Sequence, residues 1–138
     1  MKTVPKAILD TDIISAIMRR NPLVIPKATE YLSQHSQFTF SLITRYEILR
    51  GLKAKNAIKQ LKSFDEFCCQ NIILPPTDEI IVQAADIYAD LRTRGLPIGD
   101  ADILIGATAI IFNLVVITNN ESHFCRIPKL QVCNWLKS

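Results

Sequence analysis

The stretch Gly99-Asp100-Ala101-Asp102-Ile103-Leu104-Ile105-Gly106-Ala107-Thr108-Ala109 constrains this chain more than any other, because it sets two carboxylates at the head of an otherwise apolar, small-residue run. A run of this kind packs as a buried helix. Desolvating an unpaired carboxylate there is costly unless a cation or hydrogen bonds compensate it. Asp100 and Asp102 are two residues apart, so a helix turns them to nearly opposite sides. One is expected to cap and the other to act. Asp100, beside Gly99, is read as the cap, and Asp102, which looks along the helix at Gly106, as the working acid. Gly106, Ala107 and Ala109 predict a helix lying close against a sheet, bringing Asp102 toward its edge.

Short apolar runs alternate with helical patterns along the rest of the chain. Strands are expected at 4–9, 38–40, 72–74, 114–117 and 130–133. Ile13, Ile14, Ile17 and Met18 recur at helical spacing after Asp10-Thr11-Asp12. A second helix opens at Asn21-Pro22, Pro26 moves its real start slightly later, and it runs to about His35. Ser41 caps a helix over 42–53, another covers 57–69, and Thr77 caps one that Gly95 ends. Leu114-Val115-Val116-Ile117 is the continuous, β-branched sort of strand that is buried on both faces of a parallel sheet. The alternation predicts an α/β chain: a three-layer α/β/α domain with a mostly parallel central sheet of four to five short strands. One domain over residues 1–138 is expected from the length. Ligands of such sheets bind beyond the carboxyl ends of the strands. Asp10 directly follows the first strand there, and Thr118-Asn119-Asn120 the fourth.

The composition, 49% hydrophobic and 21% charged, excludes a disordered chain. A net charge of +3 is too small to name a polyanionic partner unaided. Its distribution is more informative: Arg45, Arg50, Lys53, Lys55, Lys59 and Lys62 face a single acid, Glu47, between Thr44 and Lys62. That segment reads either as a solvated helix face or as a phosphate-binding surface. Cys68, Cys69, Cys125 and Cys133 have no Cys-x-x-Cys spacing, and no signal-peptide pattern opens the chain, so a reducing, cytoplasmic setting is expected. Cys68 and Cys69, near Phe64 and Phe67, read as small buried apolar residues. The apolar run 103–117 is interrupted by Thr108 and Asn113 and falls short of the roughly 20 residues a membrane span needs, so no membrane association is expected.

Among the remaining acids, Asp10 and Asp12 stand together where one helix cap would suffice. Asp10 is read as the ligand and Asp12 as a cap or supporting group. Glu47 lies inside a helix on a flank with Ile43, Thr44 and Gly51, a position that alone suits a solvated acid, although Gly51 leaves room for a ligand one turn on.

These residues resemble the PIN-domain ribonucleases, and among them the VapC-type toxins of prokaryotic toxin–antitoxin pairs. Four motifs in order carry the resemblance over essentially the whole chain: Ile8-Leu9-Asp10-Thr11-Asp12, Tyr46-Glu47-Ile48-Leu49-Arg50-Gly51, Pro97-Ile98-Gly99-Asp100-Ala101-Asp102-Ile103-Leu104-Ile105, and Ile117-Thr118-Asn119-Asn120 with His123-Phe124. By motif position the resemblance implies a metal-binding cluster of Asp10, Glu47 and Asp102. Three carboxylates brought together repel unless a divalent cation joins them, and oxygen ligands suit Mg²⁺ or Mn²⁺. The implied activity is metal-dependent hydrolysis of RNA phosphodiester bonds. Many members carry a further acid after the fourth strand or before the phenylalanine. Here those positions hold Asn119, Asn120 and His123, one negative charge fewer.

Asn119 is accordingly either a catalytic group that orients water through its amide or, with Asn120, part of a turn and cap. His123 is expected as a partly exposed imidazole. Thr11, Asp12, Asp100, Thr118 and Asn120 are expected as supporting or capping residues. Arg45, Arg50 and Lys53 share the helix of Glu47 and are the first candidates for contacts to the RNA backbone. The resemblance further implies a cognate VapB-type antitoxin and a homodimer, and the basic helix could equally receive an acidic antitoxin segment.

Three other functions fit parts of the pattern. Asp10-x-Asp12 after a strand resembles haloacid-dehalogenase-type phosphatases, but these need a downstream catalytic lysine, and no lysine lies between Lys62 and Lys129. A PIN-like nuclease acting on DNA would be expected to carry more acids. A catalytically weak module that binds RNA or a protein partner would not need acids at three separated positions.

Overall fold

Among residues 2–137, those that the computed structural model describes, five strands alternate with seven helices. They are β1 (Ala7–Leu9), α1 (Thr11–Met18), α2 (Ile25–His35), β2 (Thr39–Ser41), α3 (Leu42–Ala54), α4 (Ile58–Cys69), β3 (Ile72–Leu74), α5 (Asp78–Thr93), α6 (Asp100–Phe112), β4 (Val115–Ile117), α7 (Glu121–Phe124) and β5 (Val132–Cys133). β1, β4 and β5 are shorter than the runs expected to form them, β3 has the expected bounds and β2 lies one residue later. At β1 the reason is local, because Pro5 has no N–H for a ladder and the Val4 N–H donates to Gln34 Oε1 at 2.8 Å.

All strand pairs are parallel. Leu9 lies opposite Ile117 in the β1–β4 pair, Ile117 opposite Cys133 in β4–β5, and Ser41 opposite Leu74 in β2–β3. The ladders form a three-stranded sheet, β1-β4-β5, and a two-stranded one, β2-β3, and β2 lies beside β1. The spatial order is therefore 3-2-1-4-5, which reverses direction between β1 and β4, the place where such sheets open a crevice for ligands.

Period-two alternation divides the core in two. Ala7, Leu9 and Ile117 face Ile13, Ile14, Val24, Tyr31 and Phe64 on one side of the sheet. Ile8 and Val116 face Ile80, Ile87, Leu91, Ile103 and Ile105 on the other. These two cores make the three layers.

Several helix ends follow local chemistry. The Ser41 hydroxyl accepts the Ile43 N–H at 3.0 Å, and the Thr77 hydroxyl accepts that of Ile80 at 3.3 Å. Asn113 closes α6 in the left-handed region at φ 54°, which its side chain tolerates. No helix among the described residues is long and apolar enough to cross a membrane.

Three expectations need correcting. Asp100 is not a cap: Gly99 occupies the N-cap position of α6, no side chain caps it, and Asp100 is its exposed first residue. Cys69 is exposed while Cys68 is buried, because Phe64 and Cys68 share the inward stripe of α4 and the next residue turns about 100° away. Gly106 does not serve the sheet. α6 does lie against β1 and β4, but a Cβ at Gly106 would stand 2.6 Å from Ile127 Cδ1. Its missing side chain seats the segment that follows α7 on α6, which places α7 beside the start of that helix.

Candidate active site

Asp10 follows the last residue of β1, and the strand register sets it beside Thr118, the residue after β4. Its N–H donates to the Ile117 carbonyl at 2.9 Å, extending the ladder one step. Asp10 is also the N-cap of α1, accepting the Thr11 N–H on Oδ1 at 2.8 Å. Its other oxygen, Oδ2, accepts the Thr118 hydroxyl at 2.7 Å. The capping role expected for Asp12 thus falls to Asp10. Only 5% of Asp10 is exposed. Burial, and next the charge of Asp12, push its carboxyl up from 3.8 to about 7, although the bonds from Thr118 and Thr11 oppose the change.

Asp12 lies in the first turn of α1. Its Oδ2 accepts the Asn119 N–H at 3.0 Å, and its Oδ1 is buried without a hydrogen-bond partner. Burial is the main cause that raises its pKa, and the charge of Asp102 adds to it. Asp102, in the first turn of α6, accepts on Oδ2 from Asn120 Nδ2 at 3.1 Å and lies 3.0 Å from His123 Nδ1. Asn120 Nδ2 is also 2.8 Å from that ring nitrogen.

Three consecutive residues after β4 therefore each hold one aspartate: Thr118 by its hydroxyl, Asn119 by its backbone N–H, Asn120 by its amide. Thr118 also accepts the Asn120 N–H at 2.9 Å, which fixes the turn. Two helix starts are pinned to one loop.

Glu47 belongs to α3 and reaches the group through Thr11, whose hydroxyl donates to Glu47 Oε1 at 2.6 Å. A carboxylate can only accept, so the contact of 3.1 Å between the Thr11 and Thr44 hydroxyls has Thr44 as donor. Glu47 Oε2 is 3.7 Å from Arg50 Nη2. Glu47 is turned to Thr11 and Arg50, and no three His, Cys, Asp or Glu side chains among the described residues, Asp10, Asp12 and Asp102 included, converge as they stand on one metal position. The donor set is nonetheless one that fits a hard divalent cation. It is all oxygen, it includes an orphaned buried carboxylate oxygen, and no Lys or Arg ion pair among the described residues reaches Asp10, Asp12 or Asp102.

Several roles expected from the sequence shift once side chains are placed, as do the basic groups around them. The Asn119 amide, read as a group for orienting water, points away from the acids and accepts from Asn134 Nδ2 at 3.0 Å. Arg45 is tied to α4 by Asp65 at 3.3 Å and by the face of Phe64 at 5.9 Å. Arg50 lies over Tyr46 at 5.2 Å. Lys53 is exposed. A cleft of about 510 Å³ opens instead from Thr11 and Glu47 between α1, α3 and α4, and its cations are Arg19, Lys55 and Lys59. Sequence reasoning did not find this cleft, nor the role of His123 on Asp102. The spacing of three between Asn120 and His123, at a short helix, is the signal that could have linked them.

The parallel sheet between two helical layers, with carboxylates from separate helices gathered at its switch point, places the chain among α/β proteins that bind their ligands at that edge. The sequence model of the PIN domain matches residues 7–130, and the chain belongs to that family. It is 30% identical to Ribonuclease VapC1 of Haemophilus influenzae over 130 residues, 94% of this chain and 97% of that protein. Among solved structures it resembles VapBC2 from Rickettsia felis bound to a promoter DNA fragment, at a TM-score of 0.83 and 27% identity over 94% of this chain and 98% of that one. DNA-bound VapBC from Salmonella typhimurium is equally similar, with a TM-score of 0.83 and 27% identity over 96% and 99% of the two chains.

Proposed function

We propose that this protein is a divalent-cation-dependent endoribonuclease that hydrolyses RNA phosphodiester bonds and is the toxin of a toxin–antitoxin pair. The observation that carries the reading is the gathering of Asp10, Asp12 and Asp102 by one loop at the switch point of the sheet, with Glu47 one hydroxyl away. The likeness to Ribonuclease VapC1 supports RNA as the substrate, and the likeness to VapBC assemblies supports a VapB-type antitoxin as partner. A homodimer, a cytoplasmic setting and a single catalytic domain over residues 1–138 belong to the same reading.

Asp10, Glu47 and Asp102 would hold Mg²⁺ or Mn²⁺. A divalent ion so held stabilises the negative charge that develops on a phosphodiester under attack by water. Thr118 and Asn120 keep the Asp10 and Asp102 carboxylates oriented, and Thr11 does the same for Glu47. Arg19, Lys55 and Lys59 line the cleft that starts at Glu47, where they are placed to take the phosphates of a bound strand.

The test is direct. Purified protein should cut a structured RNA with Mg²⁺ or Mn²⁺, stop with EDTA, and lose activity in Asp10→Asn and Asp102→Asn with an unchanged circular dichroism spectrum. Full activity in both variants, or cleavage of duplex DNA but not of RNA, overturns the reading.

A further inference from the structure

We infer that Asp12 is itself a ligand of the cation, presenting Oδ1, and not a helix cap or a structural acid; the inference rests on reading this site as a cation site. The cap of α1 is already supplied by Asp10. That leaves Asp12 free of the role its position suggests. The Asn119 N–H holds Oδ2 and the backbone N–H groups of Asp12 and Ile13 also favour the carboxylate, yet Oδ1 is left buried with no hydrogen-bond partner. A buried carboxylate oxygen without a donor is among the least favourable arrangements a fold can keep.

The neighbours of Asp12 do not relieve it. The Lys and Arg ion pairs among the described residues join Arg45 to Asp65, Arg50 to Glu47, Arg94 to Asp90 and Lys137 to Glu121, and none involves Asp10 or Asp12. Asp12 lies near enough to Asp10 and to Asp102 for their charges to oppose one another. The start of α1 favours negative charge there, and the N–H groups of Asp12 and Ile13 partly offset the cost of burial, but none of them makes a hydrogen bond to Oδ1. A divalent ion held by Asp10, Glu47 and Asp102, with Asp12 Oδ1 as a further ligand, would give the orphaned oxygen a partner and offset the mutual repulsion. Thr11, between the two acids in sequence, binds Glu47 instead, so α1 brings Asp10, Asp12 and Glu47 together through three successive residues.

The experiment compares Mn²⁺ binding, by calorimetry and by electron paramagnetic resonance, with melting temperature in EDTA, for the wild type, Asp12→Asn, Asp12→Ser, Asp10→Asn and the exposed control Asp100→Asn. Asp12→Asn should weaken Mn²⁺ binding at least tenfold and lose most of the Mn²⁺-induced rise in Tm, yet melt in EDTA no lower than the wild type. Asp12→Ser answers the same question if the amide variant does not fold. Asp100→Asn should bind like the wild type. Wild-type Mn²⁺ affinity in the Asp12 variants, with binding lost in Asp10→Asn, overturns the role of Asp12 and leaves the site standing. Weakened binding together with a lower Tm in EDTA also overturns it, because a structural acid behaves that way. Failure of the wild type to bind Mn²⁺ overturns the cation reading beneath it.

Discussion

Replacing Asp10 by Asn should stabilise the fold in the absence of divalent metal, although the residue is central to the proposed activity. The folded chain holds the Asp10 proton up to about pH 7, whereas the ordinary carboxyl value is 3.8. Between those values the native state binds a proton that the unfolded chain releases. Stability is therefore full below about pH 4 and falls as the pH rises to about 7. The gap between 3.8 and about 7 corresponds to about 4 kcal/mol as an upper bound. Asn does not ionise and escapes that loss. It keeps an oxygen for the Thr11 N–H, but its amide N–H₂ then faces a Thr118 hydroxyl that previously donated, a mismatch worth about 1 kcal/mol. The net expectation is a gain of about 3 kcal/mol at pH 8 that shrinks to nothing or reverses at pH 4. Asp12, whose pKa is also raised, adds a slope of the same sign to both proteins. Urea denaturation in EDTA at pH 4, 6 and 8 measures this. Equal stability at pH 8, or parallel pH profiles for the two proteins, would refute the reasoning.

Thr118→Val removes one donor to Asp10 and the acceptor of the Asn120 N–H at nearly constant shape; a loss of about 1–3 kcal/mol on urea denaturation is expected, with weaker Mn²⁺ binding. Gly106→Ala drives a Cβ against Ile127 Cδ1, and the overpacking should outweigh the gain in helix propensity by about 1 kcal/mol. In an Ile127→Val background, where that methyl is gone, the same change should be neutral or stabilising; an equal cost in both backgrounds would show that the contact is not the cause. Lys55→Ala with Lys59→Ala should weaken RNA binding and flatten its dependence on salt, by filter binding at several ionic strengths, while Lys53→Ala, away from the cleft, should do neither.

How much of this is legible in the sequence differs element by element. The start of α3 at Ser41 and the start of α5 at Thr77 agree with expectation because a cap is a contact between residues two or three apart. The position of Asp10 and Thr118 on one edge was readable because both follow apolar strands of a parallel sheet. Asp100 failed as a cap because Gly99 already adopts the extended N-cap conformation and the helix begins with Asp100 itself. The basic residues of α3 were assigned by sharing a helix with Glu47, yet Arg45 is held by α4, packed across from it.

Hydrophobic period, turn residues and caps act over a few positions, and they suffice to set the order of strands and helices, the three layers and the edge at which the acids stand. The partners of those acids belong to another scale. Asp12 takes its hydrogen bond from Asn119, 107 positions away, and Asp10 from Thr118, 108 away. Whether Asn119 offers its amide or its backbone to the site depends on the register of β1 against β4 and on the rotation of α1 about its axis, both settled by packing of the two cores. A local pattern carries no record of either, which is why Thr11, Thr118 and Asn120 could be named from the chain as supporting groups, whereas which acid each one holds could not.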